Sequence, residues 1–497
     1  MKVQVDQTEL QTLENREEEI KVTDASIAYR QRRVRHWNSV ARWMDRGKGA
    51  GAAYHRRLAS LYGFLVPKGM DVLELGCSEG DLLAALEPRV GVGVDFSAEM
   101  IERARQKHPD LRFVEADAHS LDLGEKFDII ILSDLVNDLW DVLKVLEQVA
   151  RHSGPHTRVI FNLYSRVWEL PLRLARWLGL AKPNLAQNWL TVEDVAGLLS
   201  LAGFEIVRHR KEVLLPLNIP LLASLANRYL AKLWPFNLAV LTHLIVAKPI
   251  LTASDRAKEP TVSVIVPARN EAGNIAGIFS RVPALGSDTE LIFVEGGSTD
   301  NTYEEIERAI AVYPGKRCLL LKQTGSGKGD AVRLGFGHAS GDVLMILDSD
   351  LSVLPEDLTR FLNVLVSGKA DFVNGSRLVY PMEKEAMRFL NLIGNKFFSF
   401  AFSWLLEQDI KDTLCGTKAL WKSDYEEIVA NRKYFGDFDP FGDFDLLFGA
   451  AKLNLKIIDL PIRYHDRTYG STNIQRWRHG WLLMKMVAFA AGRIKFV

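Results

Sequence analysis

The stretch Val72-Leu-Glu-Leu-Gly-Cys-Ser-Glu-Gly80-Asp-Leu-Leu83 passes from a short apolar run into a glycine-containing turn and then into a helical pattern. A buried strand followed by such a turn brings backbone N–H groups close to a ligand at the start of the helix. From Val72 to about Ala247, similar apolar runs such as VGVGVD, FDIIIL and LAVLTHLIVA alternate with helical segments. This alternation predicts a parallel, doubly wound α/β sheet.

Acidic residues stand in or at the end of the first three predicted strands. Glu74 lies in the first strand, Asp95 closes GVGVD and Asp117 closes FVEAD. Ligands of open parallel sheets bind at the carboxyl ends of the strands, so we expect these three side chains to share one crevice. Asp95 follows the glycine turn by about one strand–helix unit, which suits a carboxylate that accepts hydrogen bonds from two ribose hydroxyls.

The motifs VLELGCSEG, GVGVDFSAEMIERAR, FVEADAHSL and FDIIILSD resemble those of class I S-adenosylmethionine-dependent methyltransferases, over about residues 50–250. The resemblance implies a Rossmann-like fold with S-adenosylmethionine as cofactor. It places the methionine part at the glycine turn, the ribose at Asp95 and the adenine at Asp117. The cofactor-binding residues that it implies are Glu74, Gly76, Cys77, Gly80, Asp95, Phe96, Asp117, Ala118 and Ser133. The usual middle glycine of the turn is Ser78 here, and a catalytically silent domain stays an alternative.

The methyl acceptor is expected beyond the fourth strand, near Ser133, Asp134 and Asn137. Methyl transfer mainly needs alignment of the nucleophile with the sulfonium, and a base only if the nucleophile must lose a proton. A basic stretch precedes the first strand. It contains Arg30, Arg32, Arg33, Arg35, Arg42, Arg46, His55, Arg56 and Arg57. Two interpretations stay open, a clamp for an anionic acceptor and a solvated helix face.

The triplet Asp348-Ser349-Asp350, which follows the apolar run Val343 to Leu347, is the strongest signal in the second half. Side chains two residues apart at a strand end point to the same side, so both carboxylates can approach one Mg²⁺ or Mn²⁺ ion. Such an ion can bridge the phosphates of a nucleoside diphosphate and offset the charge of a leaving group. The nearby Gly325-Ser-Gly-Lys-Gly329 is not a P-loop, because Gly329 stands where Ser or Thr would follow the lysine.

The motifs VSVIVPARNEAGNI, FVEGGSTDNT, GSGKGDAVRLGF, LDSD, NGSR, DTLCGTKAL and RYHDRTYGSTNI resemble family-2 inverting glycosyltransferases of the dolichyl-phosphate mannose and glucose synthase type, over about residues 260–480. The resemblance implies a GT-A fold and a nucleotide-sugar donor. The donor-binding residues that it implies are Pro267, Arg269, Glu271, Glu295, Asp300, Lys328, Asp348, Arg377 and Arg467, with Asp348 and Asp350 at the metal. Glu295-Gly296 replaces the usual Asp-Asp pair, so both UDP- and GDP-sugars stay open.

Acidic residues in GDFDLLF complete the predicted catalytic set, which comprises Asp443, Asp350 and Asp445. Asp443 is our candidate general base near the acceptor. An acceptor that is an ionised phosphate monoester requires no base.

Two domains are expected, since the chain has 497 residues and single cores stop growing at roughly 250–300 residues. We predict an arm at 1–25, the methyltransferase domain at 26–250, a linker at 251–260 and the glycosyltransferase domain at 261–497. The formal net charge is zero, which argues against a nucleic-acid partner. Three widely separated cysteines and a polar, acidic N-terminal region predict a cytoplasmic protein.

Two apolar segments suggest contact with a membrane surface. Residues 387–406 are rich in Phe and Trp, and residues 479–496 mix apolar with basic side chains. Both patterns fit interfacial helices that would meet a lipid-phosphate acceptor, and both equally fit core helices. We therefore predict peripheral association with the inner face of the membrane.

Two other functions stay open from the sequence alone. In the first alternative, the first half is a non-catalytic scaffold for a working glycosyltransferase. Alternatively, the whole chain is a nucleotidyltransferase, because Asp-x-Asp at a strand end also serves that chemistry and would give pyrophosphate as product.

Overall fold

The computed structural model describes residues 24–40, 52–178, 185–217, 219, 221–251, 259–380, 389–434, 444–467, 469 and 476–497. These residues form two compact units, and the boundary between the units falls between Pro249 and Ile250. The predicted arm lies almost wholly outside the described residues, as does most of the predicted linker.

The first unit alternates strands and helices. Its strands are β1 (Asp71–Leu75), β2 (Val90–Asp95), β3 (Arg112–Glu115), β4 (Phe127–Leu132), β5 (Ser153–Tyr164), β6 (Phe204–Glu212) and β7 (Thr242–Pro249). Its helices are α1 (24–40), α2 (Ala52–Leu65), α3 (Asp81–Ala85), α4 (Ala98–Lys107), α5 (Val142–Arg151), α6 (Glu169–Trp177), α7 (Val192–Leu201) and α8 (Leu222–Arg228). Apolar side chains of the strands and of α4, α5 and α7 form its core.

The strand order of the first unit is β3-β2-β1-β4-β5-β7-β6. The strands from β3 to β5 are parallel, as predicted. The prediction of a wholly parallel sheet is wrong, because β7 runs antiparallel to both β5 and β6. The sequence does not reveal the direction of a strand, since a buried antiparallel strand and a buried parallel strand are equally apolar.

The second unit repeats the alternation with a different sheet. Its strands are β8 (Thr261–Ala268), β9 (Asp288–Glu295), β10 (Arg317–Lys322), β11 (Val343–Ile346), β12 (Phe372–Ser376), β13 (Lys418–Trp421) and β14 (Ile457–Pro461). Its helices are α9 (Ala272–Arg281), α10 (Thr302–Val312), α11 (Lys328–His338), α12 (Leu358–Val366), α13 (Phe389–Leu406), α14 (Lys422–Ala430), α15 (Phe444–Lys452) and α16 (Arg476–Ala490). The helix predicted at Thr302 to Val312 is confirmed as α10.

The strand order of the second unit is β10-β9-β8-β11-β13-β12-β14. Strand β13 was not predicted, and it runs antiparallel to its neighbours β11 and β12. Because β13 alone is reversed, β8, β9, β11, β12 and β14 all end at one edge of the sheet. The segments that follow these strands are therefore brought together at that edge.

Among the described residues, no helix combines the length and the apolar character needed to cross a bilayer.

Candidate functional site

The turn between β1 and α3 has the backbone that a close ligand approach requires. Gly76 and Gly80 have φ angles of 72° and 77°, in the left-handed region that favours glycine. A Cβ added to Gly80 would lie 2.5 Å from a ring carbon of Phe113. Ser78 has a φ of 50° in the same turn, and its N–H donates to Asp95 Oδ2 at 3.1 Å. The serine that departs from the family pattern thus fits the turn and ties β1 to β2.

Two acidic side chains line this turn, the buried Glu74 and the half-buried Asp95. Glu74 is almost fully buried, and its Oε2 accepts the backbone N–H of Leu83 at 3.1 Å. Burial raises the pKa of Glu74 to about 8. Asp95 accepts backbone N–H groups on both oxygens, from Ser78 and, at 2.9 Å, from Ser97. Burial also raises the pKa of Asp95. Glu74 and Asp95 thus lie at the same turn, and a crevice that they share with Asp117 stays a prediction.

Asp117 follows β3 and faces helix α1. Its Oδ1 accepts the backbone N–H of His119 at 3.0 Å, and Arg30 Nε lies 3.3 Å from its Oδ2. Burial would raise the pKa of Asp117, but the hydrogen bonds from His119 and the charge of Arg30 hold it below its ordinary value. Ala118 begins a single 3₁₀ turn directly after it.

The remaining residues implied for the cofactor lie around the same strand ends. Cys77 is buried in the turn, and burial raises the pKa of its thiol. Phe96 follows β2 and Ser133 follows β4. The glycine turn, the carboxylates and these neighbours together fit a bound nucleoside with an amino-acid tail.

A polar network surrounds Asp134, near which the methyl acceptor is expected. Asp134 Oδ1 accepts the Tyr54 hydroxyl at 2.8 Å and the Asn162 amide N–H at 2.5 Å. Its second oxygen lies 4.0 Å from Nδ1 of His55, whose side chain is exposed. Asp134 has a φ of 54°, an uncommon conformation for a non-glycine residue. The sequence pointed to Asp134, and it included His55 only as a member of the basic stretch.

The basic stretch before β1 is neither wholly a solvated helix face nor wholly available as a clamp for an anionic acceptor. Arg33 is buried on α1, where it donates to Asp138 Oδ1 and to the carbonyl of Ala186, both at 2.5 Å. Arg57 pairs with the buried Glu212 at 3.1 Å. These arginines are structural ion pairs of the first unit, whereas Arg32 and Arg35 are solvated.

In the second unit, Lys328 and Asp348 form an ion pair at the edge where the strands end. Lys328 begins α11, Asp348 follows β11, and Lys328 Nζ lies 2.5 Å from Asp348 Oδ1. Burial would raise the pKa of Asp348, but the charge of Lys328 holds it below its ordinary value. The backbone of Gly416 passes directly beside the pair, since an added Cβ would lie 1.9 Å from Lys328 Nζ.

Asp350 is held by a second cation, Arg467, which follows β14. Arg467 Nη2 donates to Asp350 Oδ2 at 2.6 Å, and Nη1 donates to Glu271 Oε1 at 3.1 Å. Ser352 donates its backbone N–H to the other oxygen of Asp350 at 3.0 Å. Burial raises the pKa of Glu271 despite the opposing charge of Arg467. The structure thus brings Glu271, Asp350 and Arg467 together.

The residues expected around the nucleoside lie at the ends of β8 and β9. Glu295 ends β9 and accepts the backbone N–H of Ser298 at 2.5 Å. Asp300 accepts the backbone N–H of Ala272 at 3.4 Å and the Tyr469 hydroxyl at 3.3 Å. Pro267 contributes its carbonyl, which accepts the Ser349 hydroxyl at 2.8 Å, and Arg269 is exposed just after β8.

Arg377 has a protein partner that the sequence did not reveal. It follows β12 and forms a bidentate ion pair with Asp412, at 2.7 and 2.8 Å. Asp412 is fully buried, which would raise its pKa, but Arg377 holds that pKa below its ordinary value. Because the guanidinium fork is already engaged, Arg377 positions the 412–417 segment in this structure. Asp412 stands in DTLCGTKAL, which was noticed only as part of a motif.

Of the two acidic residues expected near the acceptor, the structure describes only Asp445. Asp445 lies on α15 and pairs closely with Arg432. Asp443 lies outside the described residues.

The donor atoms around Asp348 and Asp350 fit a metal that arrives with a nucleotide. Within the described ranges, no group of three or more His, Cys, Asp or Glu side chains forms a metal cage. Mg²⁺ in nucleotide sites is often bound by one or two carboxylates together with phosphate oxygens and water. Two carboxylates at one strand end, flanked by Lys328 and Arg467, match that donor set.

Comparison with known families gives a match for each unit. Residues 263–429 match the family described as Glycosyl transferase family 2. Residues 50–209 match the family described as Methyltransferase domain. The α/β fold predicted for both halves agrees with these matches.

Three curated proteins resemble the second unit. Glycosyltransferase AglJ of Haloferax volcanii is 32% identical over 45% of this chain and 69% of AglJ. Dolichol-phosphate mannosyltransferase of Pyrococcus furiosus is 31% identical over 45% of this chain and 64% of that protein. Undecaprenyl-phosphate 4-deoxy-4-formamido-L-arabinose transferase of Aeromonas hydrophila is 34% identical over 22% of this chain and 34% of that protein. The chain therefore spans only part of the length of each relative.

Proposed function

Because this chain belongs to glycosyl transferase family 2, we propose that its second unit transfers a sugar from a UDP- or GDP-sugar to a polyprenyl phosphate. The observation that carries the proposal is the pair of ion pairs at one sheet edge, Lys328 with Asp348 and Arg467 with Asp350. Two relatives named for dolichol phosphate and undecaprenyl phosphate support the choice of acceptor.

The charges at this edge suit a nucleoside diphosphate. Glu271, Glu295 and Asp300 provide hydrogen-bond acceptors for the nucleoside, and Lys328 and Arg467 provide cations for the two phosphates. A divalent metal held by Asp348 and Asp350 would offset the negative charge of the departing diphosphate. Lys328 and Arg467 hold the two carboxylates in place until the donor binds.

The transfer needs little from the protein beyond this alignment. An oxygen of the acceptor phosphate forms a bond to the anomeric carbon while the bond from that carbon to the β-phosphate oxygen breaks. The nucleoside diphosphate leaves with the electron pair, and the sugar configuration inverts. An ionised phosphate has no proton to lose, so Asp443 or Asp445 would be required as a base only for a hydroxyl acceptor.

A donor screen tests the proposal. The protein is mixed with UDP- and GDP-sugars, a short polyprenyl phosphate and Mg²⁺ or Mn²⁺, and the release of nucleoside diphosphate is scored. Asp350→Ala should abolish the release that the wild type shows. Unaltered activity in Asp350→Ala would contradict the metal assignment, and pyrophosphate as product would favour a nucleotidyltransferase.

For the first unit, which carries a methyltransferase domain, we propose methyl transfer from S-adenosylmethionine. The supporting observation is that the turn at Gly76–Gly80 and the carboxylates of Glu74 and Asp95 meet at one edge. We propose that the exposed His55, whose Nδ1 lies 4.0 Å from Asp134 Oδ2, takes a proton from an acceptor hydroxyl. The acceptor oxygen then bonds to the methyl carbon as the carbon–sulfur bond breaks.

Titration with S-adenosylmethionine distinguishes this function from a scaffold role. Micromolar binding that Asp95→Ala weakens supports methyl transfer. An absence of binding at millimolar cofactor would support the scaffold alternative.

We also propose that the second unit associates peripherally with the cytoplasmic membrane surface through α13 and α16. Phe400 on α13 and Trp481 on α16 are exposed, while Phe402 and Leu483 are buried in the core. An exposed aromatic face on an otherwise packed helix suits the interface where a polyprenyl tail resides. Complete solubility after mixing with anionic liposomes would contradict this proposal.

A further inference from the structure

Two segments of the methyltransferase unit leave its sheet and expose much apolar surface. Residues 166–178 follow β5, and residues 213–241 connect β6 to β7. Half of the large apolar side chains that are exposed in the described part of the chain belong to these two segments. They include Leu221, Trp177 and Trp234, which are 87%, 80% and 79% exposed. Concentrations of exposed apolar side chains of this kind mark interaction sites. We refer to the exposed side chains of both segments as the apolar face.

Hydrogen bonds join the two segments of the apolar face. The indole N–H of Trp168 donates to the carbonyl of Ala239 at 2.9 Å. The backbone N–H of Ser165 donates to the carbonyl of Leu241 at 2.7 Å, and the N–H of Leu241 donates to Val213 at 2.7 Å. The two segments therefore run side by side where they leave the sheet.

The apolar face begins next to the acceptor side of the crevice. Tyr164 at the end of β5 and Glu212 at the end of β6 are both register partners of Thr242, where β7 starts. The Thr242 hydroxyl donates to the Tyr54 hydroxyl at 3.4 Å, and Tyr54 donates to Asp134 at 2.8 Å. The points where both segments leave the sheet are thus adjacent to the Asp134 network.

The charges of the two segments are almost all positive. Residues 166–178 and 213–241 contain five Arg or Lys residues, of which Lys232 is buried against Glu212, and one acidic residue, Glu169, which pairs with Arg173 at 2.8 Å. Arg166, Arg173 and Arg228 are exposed. Apolar and aromatic side chains combined with basic ones are typical of segments that lie in the headgroup region of anionic membranes.

Arg228 also borders an open depression in the apolar face. The depression has a volume of about 570 Å³ and is lined by Leu221, Leu222, Ser224, Leu225, Arg228 and Tyr229. An arginine at the rim of a leucine-lined hollow can bind a phosphate while the leucines contact acyl chains. A second copy of this face would instead bring like charges together.

We propose that the apolar face docks the methyltransferase unit on an anionic bilayer, and that the methyl acceptor is a lipid-linked molecule presented at that bilayer. Docking places the headgroup plane beside Thr242 and the Asp134 network. The statement about the acceptor rests on the methyl transfer proposed above, whereas the docking does not.

Vesicle flotation of the full chain tests the docking. Vesicles of phosphatidylcholine are compared with vesicles that also contain phosphatidylglycerol. The variant Leu221→Asp/Trp234→Asp should bind anionic vesicles about tenfold more weakly, because two large apolar side chains leave the interface and negative charge is added. The matched control Leu201→Asp/Val312→Asp changes exposed apolar residues elsewhere and should bind within about twofold of wild type.

A local probe excludes a contribution from α13 and α16 or from misfolding. An environment-sensitive fluorophore is attached at Leu225→Cys or, as control, at Leu201→Cys, both in a Cys318→Ser background, since Cys77 and Cys415 are buried. Anionic vesicles should shift the emission to the blue at position 225 and leave it unchanged at position 201. No shift at 225, an equal shift at both positions, or unchanged flotation of Leu221→Asp/Trp234→Asp would overturn the proposal.

The two proposals for the first unit fail in different ways. Vesicle binding needs neither cofactor nor turnover, so docking without cofactor binding contradicts methyl transfer alone. Methyl transfer without an emission shift at position 225 contradicts docking and leaves methyl transfer standing. Light scattering tests self-association. If the wild type is a dimer and Leu221→Asp/Trp234→Asp is a monomer, the apolar face is an interface between copies, and docking is overturned.

Discussion

Arg467 holds Asp350 with a terminal nitrogen 2.6 Å from the carboxylate oxygen Oδ2. Its other terminal nitrogen donates to Glu271 at 3.1 Å. One guanidinium therefore fixes the end of β11 relative to the start of α9. This contact brings together residues that are nearly two hundred positions apart in the chain.

Arg467→Lys is expected to raise the KM for the nucleotide sugar by about tenfold, because a lysine ammonium cannot bridge two carboxylates as a guanidinium fork does. Initial rates at varied donor concentration measure the effect. Arg463→Lys, at an exposed position on the same segment, serves as the control and should leave KM unchanged. An unchanged KM in Arg467→Lys would show that the bridge does not organise the donor site.

Gly416→Ala is expected to lower donor affinity by about tenfold or more, because the added methyl group overlaps both Lys328 Nζ and Asp348 Oδ2. Calorimetric titration with the nucleoside diphosphate and Mn²⁺ measures the loss. Gly337→Ala on α11 provides a matched control, since nothing lies within 4 Å of its added Cβ. Equal affinities for the two variants would place the donor elsewhere.

Asp412→Ala is expected to destabilise the second unit by about 3–5 kcal/mol, because it leaves the charge of Arg377 without its buried partner. Glu356→Ala breaks a similar bidentate pair with Arg281 on the surface and should cost no more than about 1 kcal/mol. Denaturant unfolding measures both changes. The pKa of Asp412 is held low, so its contribution is present at neutral pH and lost as the pH falls through that pKa. Similar costs for both variants would argue against a buried Arg377–Asp412 pair.

The buried Glu74 predicts a pH dependence of stability that is opposite in sign to that of Asp412. Its pKa rises from 4.5 to about 8 on folding, so the folded first unit binds a proton that the unfolded chain releases. The free energy of unfolding of the cofactor-free protein should fall by a few kcal/mol as the pH rises through that window. Glu74→Gln, which cannot ionise, should remove this dependence in denaturant titrations. A wild-type stability that is constant from pH 4.5 to 8 would contradict the burial of Glu74 as a neutral acid.

His55→Gln is expected to slow methyl transfer to a hydroxyl acceptor by about 10²-fold or more without changing cofactor affinity. The variant removes the base that accepts the proton of the acceptor hydroxyl, and it leaves the turn at Gly76–Gly80 unchanged. Formation of S-adenosylhomocysteine and a separate binding titration measure the two effects. His156→Gln, at an exposed position in the same unit, is the control. A slow rate in both variants, or weaker cofactor binding in His55→Gln, would remove His55 from the role of base.

The sequence predicted best those residues whose position follows from a strand end. Asp95 and Asp348 lie where alternating apolar runs and the parallel-sheet rule place them. Strand β13 was missed because four residues without alternation carry no periodicity of their own. The predicted direction of β7 was wrong because apolar content does not encode strand direction.

Pairings between distant residues were beyond the sequence. Arg377 and Asp412 meet because β12 and the segment before β13 pack together, and no local pattern records that contact. Arg33 lies in a basic run that the sequence left open as a clamp or a solvated helix face, yet the side chain is buried and pairs with Asp138. The tertiary fold, not residue type, decides which arginine is structural and which is free to bind a ligand.

The most direct test of the account is a product analysis by mass spectrometry. Wild-type protein, a UDP- or GDP-sugar, Mn²⁺ and a short polyprenyl phosphate should yield a glycosyl phosphopolyprenol and one nucleoside diphosphate per product. Asp348→Ala/Asp350→Ala should yield neither product while still showing a cooperative unfolding transition in denaturant. The same yield from that variant, or pyrophosphate in place of the nucleoside diphosphate, would contradict the central claim that these two carboxylates form the donor site of a glycosyltransferase.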